Sequence, residues 1–476
     1  MKKALVANLL ILSVVACSDT TKTLRPESET NVAGATIVTA DVIVTNSNDA
    51  GPGSFRDAIT QASGNASVAT IGFLPEVSTI ALQSTVTYTG SQDLTVHANH
   101  ATLDGSSAAG AAFLVETNGA DLTIIGLNVR NAPAQGLQVN VLSTATGTVR
   151  IELNDVEITD NAGHGVLVND QENPDDVANS NGSSAAVVVV VRDSRFVRNG
   201  YSVSDRDGVR VNEGGDGSLT FTIWNSRSDD NAADGIELDE RAGGDVVIDV
   251  NKVAVTRNGK FDPTDLDDGF DIDEAGPGHI LGSVRSSSAN HNFEEGLDFN
   301  ENDAGDLRVD MSDVEANDNR EEGIDLEEDD DFAGGGDLVT VMDRVTTSGN
   351  GVDGGDGGLK IREKGLGNLD VVLTNVIASQ NSLAGIHLRE TEAGDSRVSI
   401  DGAVATGNTG STGHGIELRE GSSGNITAAI ISNVTASGNS GYGVSAENGT
   451  VNIRNVKGGA NGGGLTGGGA SFVVVP

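Results

Sequence analysis

The chain carries a single cysteine in 476 residues, so no intramolecular disulfide can form and stability must come from packing. Aromatic residues make up 3% of the sequence, with one tryptophan, three tyrosines and eleven phenylalanines. That is too few for a globular core of large side chains and suits small repeated layers of Val, Ile and Leu. Basic residues are scarce too: 29 Lys and Arg stand against 70 Asp and Glu, for a formal charge of −41. This balance argues against a nucleic-acid partner. The acids crowd into residues 201–340, where they alternate with Val, Ile and Leu, so they do not form a disordered tail. Only one long apolar run exists, near the first residue, and no other segment is long and apolar enough to cross a membrane.

That run, Ala4 to Val15, follows Lys2 and Lys3. It is too short to span a bilayer and suits the core of a signal peptide. It ends in "VVAC", Val14 to Cys17, which resembles a bacterial lipobox. The resemblance implies that Cys17 is lipidated and becomes the first residue, with several acyl chains making a stable membrane anchor. Ordinary secretion with an incidental cysteine is the alternative. The expected divisions are a signal peptide over 1–16, a lipidated flexible tether over 17–35, polar and rich in Thr and Ser, and one long domain over 36–476. The expected location is the bacterial cell envelope, at the outer membrane or cell surface.

The long domain is repetitive. A glycine followed by apolar, any and apolar residues recurs at Gly136, Gly165, Gly208, Gly235, Gly269, Gly296, Gly323, Gly358, Gly385, Gly415 and Gly443. Four of the ten gaps are 27 residues, and the others are this length plus an insertion. A second glycine follows nine residues later in most units, at Gly244, Gly278, Gly305, Gly367, Gly394 and Gly424. An asparagine precedes the anchor by four at Asn161, Asn231, Asn292, Asn319, Asn381 and Asn439. In longer units it is displaced upstream, at Asn199, Asn258, Asn350 and Asn408, so most insertions enter between this asparagine and the next anchor. The long gap after Gly165 instead holds a loop, 169–186.

Each unit contains about three runs of period-two alternation, as in "GLDF", "DLRVDM" and "VEAN". Alternation means strand, and Gly and Asn punctuation means tight turns, Asn tolerating the left-handed conformation. Three strands and three turns make one coil, and coils stack about 4.8 Å apart. The expected fold is all-β: a single right-handed parallel β-helix of about 27 residues per coil and about fourteen coils. "GSFRDAITQAS", 53–63, is the one clear amphipathic helix, with Phe55, Ala58, Ile59 and Ala62 on one face and Ser54 with Asp57 as a capping box. It fits as a lid on the first coil.

"VTNSNDAGPGSFRDAI", 44–59, with "IGFLPEVSTIALQS" and "LTVHANHATLDG", resembles the N-terminal coils of pectate-lyase-like right-handed β-helix proteins. With the repeats, the resemblance covers about 36 to 476. It implies the fold and leaves function open, because this superfold hosts lyases, hydrolases, epimerases, adhesins and inert stalks. The Arg- and Pro-rich stretch of the calcium-dependent lyases is missing, and the chain has only eight prolines. The Asn-Thr-Asp motif of the polygalacturonases is missing as well. "GHG" occurs at 163–165 and 413–415, "DDG" at 267–269 and "KIREK" at 360–364, but both "GHG" strings fall where the repeat requires glycine anyway.

Counting from each anchor, position two is Glu237, Asp271, Asp298 and Asp325 in four successive coils. Position four is Asp239, Asp273, Asn300 and Glu327. Position five is Glu in eight coils, Glu213 to Glu420, and is grouped here with the outward face. Stacked carboxylates repel by roughly 1 kcal/mol per neighbouring pair even in water. In later coils Lys360 and His387 take position two, and Arg362, Arg389 and Arg419 take position four. In the middle coils a hard cation such as Ca²⁺ is the candidate counter-charge, held by Glu237, Asp239, Asp271, Asp273, Asp298, Glu301, Asp325 and Glu327. A solvated acidic face is the other reading.

Two functions remain open. The first is a non-catalytic, lipid-anchored surface β-helix presenting its acidic face to cations, glycans or a neighbouring surface. The second is a calcium-dependent lyase or other carbohydrate-active enzyme on acidic polysaccharide. In that reading Lys360, Arg362, His387 and Arg389 would hold the substrate carboxylate and abstract a proton.

Overall fold

A computed structural model describes residues 30–32, 35–37, 39–171, 181–202, 204–261, 266–329, 335–421 and 424–476. The apolar run and Cys17 lie outside the described residues, as does much of the 169–186 loop. The chain divides into two compact units, Met1–Val38 and Thr39–Pro476. In the first, Thr30–Val32 pairs antiparallel with Ala35–Ile37 as a short hairpin. The second is a right-handed parallel β-helix.

One of its sheets has fourteen parallel strands, from Val86–Tyr88 at one end to Gly464–Gly468 at the other, in strict chain order. Fourteen is the number of coils the repeat length implies. The anchor phrase is the strand of this sheet. Leu297↔Ile324 and Phe299↔Leu326 pair in register, as do Phe270↔Leu297 and Ile272↔Phe299. These residues are at most 3% exposed, and the Phe270 and Phe299 rings meet edge to face at 5.4 Å. Alternation of apolar residues is therefore converted into continuous apolar ladders, Phe270–Leu297–Ile324 and Ile272–Phe299–Leu326 among them, which is how so few aromatics suffice. The remaining parallel strands close each coil, Val187–Val191 against Leu219–Ile223 among them.

The helix Phe55–Gly64 lids the first coils. Phe55, Ala58, Ile59 and Ala62 are buried, and Phe55 packs against Phe73 at 5.3 Å and Phe113 at 5.5 Å. Ser54 Oγ accepts from Asp57 N–H at 3.1 Å, which is half of the expected capping box. Asp57 Oδ2 accepts from Gly53 N–H, one residue before the cap, at 3.1 Å, while Ser54 N–H turns to Gly51 O.

The asparagines form one unbroken column, whether four residues from the anchor or displaced. From Asn161 through Asn199, Asn231, Asn258, Asn292, Asn319, Asn350, Asn381, Asn408 and Asn439 to Asn461, each Oδ1 accepts the N–H and the Nδ2 of the asparagine one coil earlier. The second Nδ2 proton goes to a backbone carbonyl, for example Asn319 to Ala289 and Asn350 to Ala316. Left-handed backbone was expected at these asparagines. It falls instead on the residue before, such as Asp230 at φ 54°, His291 at 60° and Asp318 at 57°. The side-chain amide, not a tolerance for positive φ, is what asparagine supplies. The second glycines also stack, and include Gly217, which fits the nine-residue spacing, and Gly336, thirteen residues after its anchor, which the spacing misses. A Cβ on Gly278, Gly305 or Gly367 would run into the carbonyl of the glycine one coil earlier.

Candidate functional site

The outer face of the fourteen-stranded sheet carries positions two and four, and the pairing confirms the columns residue by residue. Arg210, Glu237, Asp271, Asp298, Asp325, Lys360, His387 and Glu417 follow one another across the strands. Asn212, Asp239, Asp273, Asn300, Glu327, Arg362, Arg389 and Arg419 run beside them. Pointing outward does not mean standing in water here. Arg210, Asp239, Asp325 and His387 are each at most 4% exposed. The row is sunk among its own long neighbours and the turns beside it.

Position five breaks the expected pattern. The eight glutamates from Glu213 to Glu420 lie inside the coil, not on the outer face. Alternation from the anchor makes position five odd, like the apolar positions one and three, so the chain points it inward. Glu301, counted above among the cation ligands, belongs to this interior column.

The residue before the anchor forms a third column. His164 Nδ1 accepts Asp207 N–H at 3.0 Å, Asp207 Oδ1 accepts Asp234 N–H at 3.1 Å, and the relay continues from Asp234 to Asp268 and from Asp268 to Glu295. His414 Nδ1 takes Tyr442 N–H in the same way at 2.8 Å. The "GHG" histidines are thus members of this backbone-capping column, not a catalytic pair.

Two basic residues of the middle coils reach the row. Arg210 is ringed by Asp205, Asp207, Glu237 and Asp239, at 2.6, 3.8, 2.8 and 2.9 Å. Burial opposes its charge, but these carboxylates outweigh burial and hold the guanidinium protonated well above its usual range. Arg241 pairs with Asp239 and, at 3.5 Å, with Asp273. Farther along, Lys360 sits among Asp325 at 2.7 Å, Glu327, and Glu322 at 3.8 Å. Burial again opposes its charge, and these three carboxylates overcome it and raise the amine well above its usual range. Arg362 pairs with Glu327 and with Asp329 at 2.9 Å.

Between these two cationic stretches the acids stand alone. Asp234, Asp268, Asp271 and Asp298 pair with no lysine, arginine or histidine among the described residues. Three-carboxylate groups with ligand oxygens within 4.8 Å of one another are Asp234–Glu237–Asp271, Asp268–Asp271–Asp298, Asp268–Glu294–Glu295 and Glu295–Glu321–Glu322, with Asp205–Asp207–Glu237 beside Arg210. Of the expected ligands, Glu237, Asp271 and Asp298 fall in these groups. Asp239, Asp273, Asp325 and Glu327 do not, and each has a basic partner. Asp234, Asp268, Glu295 and Glu322, the residues just before the anchors, supply further members, and Asp205, Asp207, Glu294 and Glu321 complete the groups.

Burial, with like charges second, pushes Asp234, Asp268 and Asp271 well above the usual carboxylate range. Asp298 is raised to about 7 by burial, then by Asp273 and Glu327, and Glu295 to about 9 by burial, then by Asp298 and Glu322. Asp298 Oδ1 and Glu322 Oε2 are buried atoms without a hydrogen-bond donor. These residues need either protons or a cation.

The candidate base residues are poorly placed for proton abstraction. Lys360 is held charged. His387 is 3% exposed, with Asp356 at 3.6 Å and Glu417 at 3.9 Å, and neither ring nitrogen has a hydrogen bond. Burial, with Arg419, Arg389 and Lys360 beside it, lowers its pKa to about 4 against the pull of Asp356. Arg362, Arg389 and Arg419 stack in register as a short cationic row.

No family model matches the chain, and no curated protein matches it. Among solved structures, an alginate lyase from Paenibacillus sp. strain FPU-7 is similar at 14% identity over 68% of this chain and 98% of that one, with a TM-score of 0.38. The A-module of a mannuronan C-5 epimerase from Azotobacter vinelandii is similar at 13% identity over 91% and 100%, also at 0.38. A pectate lyase, Pel9A, follows at 16% identity over 82% and 78%, at 0.30. Likeness at this level assigns neither family nor activity.

Proposed function

We propose that the protein is a non-catalytic, lipid-anchored surface β-helix that binds divalent cations, Ca²⁺ above all, along the middle coils of its acidic face. The carrying observation is the contrast along one column. Arg210 and Lys360 each neutralise a cluster of carboxylates from within the chain, whereas Asp268, Asp271 and Asp298 between them converge with no cation of their own. Oxygen-only donors in such a group suit a hard ion. Bound calcium would invert the local field, and the Arg362–Arg389–Arg419 row continues the cationic path along the face. An acidic polysaccharide laid along these strands would meet calcium first and arginine next, which makes it the partner of choice.

The test is thermal. Calcium at millimolar levels raises the melting temperature of the wild type more than sodium at equal ionic strength, because an ion that binds only the folded chain stabilises it by linkage. In Asp271→Asn with Asp298→Asn, the calcium-specific part disappears while the fold remains. Equal stabilisation by the two salts would leave the face a solvated surface. Turnover of uronic-acid polymers by the calcium-loaded protein would overturn the non-catalytic part alone. The anchor is tested separately: Cys17→Ala loses acyl labelling and leaves the membrane fraction, and a variant that stays membrane-bound refutes lipidation.

A further inference from the structure

Behind the acidic face runs a second column of carboxyls for which cation binding has no use. Glu213, Glu240, Glu274, Glu301, Glu328 and Glu363 follow one another in register with no exposed surface, and Glu390 and Glu420 continue the column at 1% and 5% exposure. Turn N–H groups satisfy part of it. Gly215 donates to Glu213 Oε2 at 3.2 Å, Ala242 and Gly244 to Glu240 Oε1 at 3.1 and 3.2 Å, and Glu392 and Gly394 to Glu390 Oε1 at 2.7 and 3.2 Å. Gly336 donates to Glu328 Oε1 at 2.9 Å. Glu213 Oε1, Glu240 Oε2, both oxygens of Glu363 and Glu390 Oε2 are buried without an N–H or hydroxyl donor. What faces them is the next glutamate. The strand pairing sets Glu213 beside Glu240, Glu240 beside Glu274, Glu274 beside Glu301, Glu301 beside Glu328, Glu328 beside Glu363 and Glu363 beside Glu390.

Buried carboxyls stacked side by side without a donor repel when both are ionised, and one that holds a proton can donate it to its neighbour. The other groups facing the column are Asp170 beside Glu213, Asp303 beside Glu301, and Asp395 with the Ser396 hydroxyl beside Glu420. None is cationic, and Glu213, Glu240, Glu274, Glu301, Glu363, Glu390 and Glu420 form no ion pair with a lysine, arginine or histidine among the described residues. We propose that this interior column is a proton-loaded glutamic-acid ladder, in which neighbouring carboxyls share protons along the solenoid axis at neutral pH.

The proton affinities agree. Burial, then Glu240 and Asp170, pushes Glu213 up to about 10. Burial, then Glu240 and Glu301, pushes Glu274 up to about 11. Burial and Glu390 raise Glu363 and Glu420 to about 8. A folded-state value raised above the unfolded one, about 4.3, gives stability that is full below the unfolded value. That stability is lost as pH rises through the folded values. The ladder makes the fold tolerant of mild acid and labile to base.

The experiment counts protons. The full chain, saturated with calcium, is unfolded in guanidinium at pH 7 in lightly buffered solution, and the released protons are titrated. Glu274→Gln and Glu363→Gln, each a neutral isostere, lower the release by about one proton apiece. They also flatten the fall of melting temperature between pH 6 and 9. Taking wild type against variant cancels the outer-face acids, so the result holds whether or not those acids bind calcium. Unchanged proton release in a folded variant overturns the ladder. So does a wild type that gains stability with rising pH and with sodium or calcium while the Gln variants lose that gain, since a cation would then occupy the column. Should neither variant fold, the infrared spectrum of the wild type in D₂O decides. A neutral-carboxyl carbonyl band at pH 7 supports the ladder, and its absence refutes it.

Discussion

Lys360 is the residue on which the acidic face depends most visibly. Its amine is shared by Glu322, Asp325 and Glu327, all buried. Lys360→Gln leaves those carboxylates facing one another, at a cost of about 3 kcal/mol, the lower end for a broken buried pair because the lysine is 17% exposed. The loss is greatest above pH 7 and shrinks toward pH 5, as Glu322 and Asp325, already raised by burial, take up protons. Denaturation midpoints at the two pH values check this, and equal losses would contradict it. At this scale the sequence was half legible. Period-two alternation put Asp271, Asp298 and Asp325 on the outer face, and the pairing agrees. The same alternation, carried one step further, puts Glu274 and Glu301 inside. Charge argued for the surface and parity argued for the core, and parity prevailed because strand pairing fixes which face each position takes. Arg210 was hidden for a different reason: its four acidic partners lie in two coils, and only the fold brings them together.

Among the elements, the asparagine column carries the most concentrated prediction. Asn319→Ala removes the acceptor for Asn292 N–H and Nδ2 and the donor for Ala289 O, leaving several buried groups without partners at about 1–3 kcal/mol each. The denaturation midpoint should fall by an amount worth more than about 2 kcal/mol, with the slope unchanged. A smaller fall would mean that water replaces the amide. Ser54→Ala, at the start of the lid helix, should cost about 1 kcal/mol by loss of the Asp57 N–H acceptor. Phe299→Asp places a charge in a ladder with no exposed surface and should cost several kcal/mol. An unchanged melting temperature would refute the register. The ladders and the lid helix were legible because their periods are local. The asparagine column was legible too, once Asn199, Asn258, Asn350 and Asn408 were read as displaced members; what spacing did not show is that the side-chain amide, not a left-handed backbone, makes the column.

For the whole molecule, the formal charge of −41 overstates what the solution sees if the interior ladder keeps its protons. Electrophoretic mobility at pH 7 should then correspond to a less negative chain, moving toward the formal value as pH rises past 9. The coil number was readable from repeat length alone because a solenoid is nearly a sum of its neighbours. The acidic face, by contrast, needed three columns to be seen together.

The corner between each asparagine and the next anchor has a further consequence. Chain length there varies from coil to coil, while the asparagine before it and the glycine after it keep their places in the stack. That corner is a graft point. Its residues border the carboxylate row through Asp234, Asp268 and Glu295, so a longer or shorter segment changes the rim of the face and leaves the interior untouched. Lengthening a surface loop is cheap, at about 0.6 kcal/mol per doubling. A foreign peptide spliced between Asn319 and Gly323 should therefore be displayed beside the middle coils on a rod that does not register its presence.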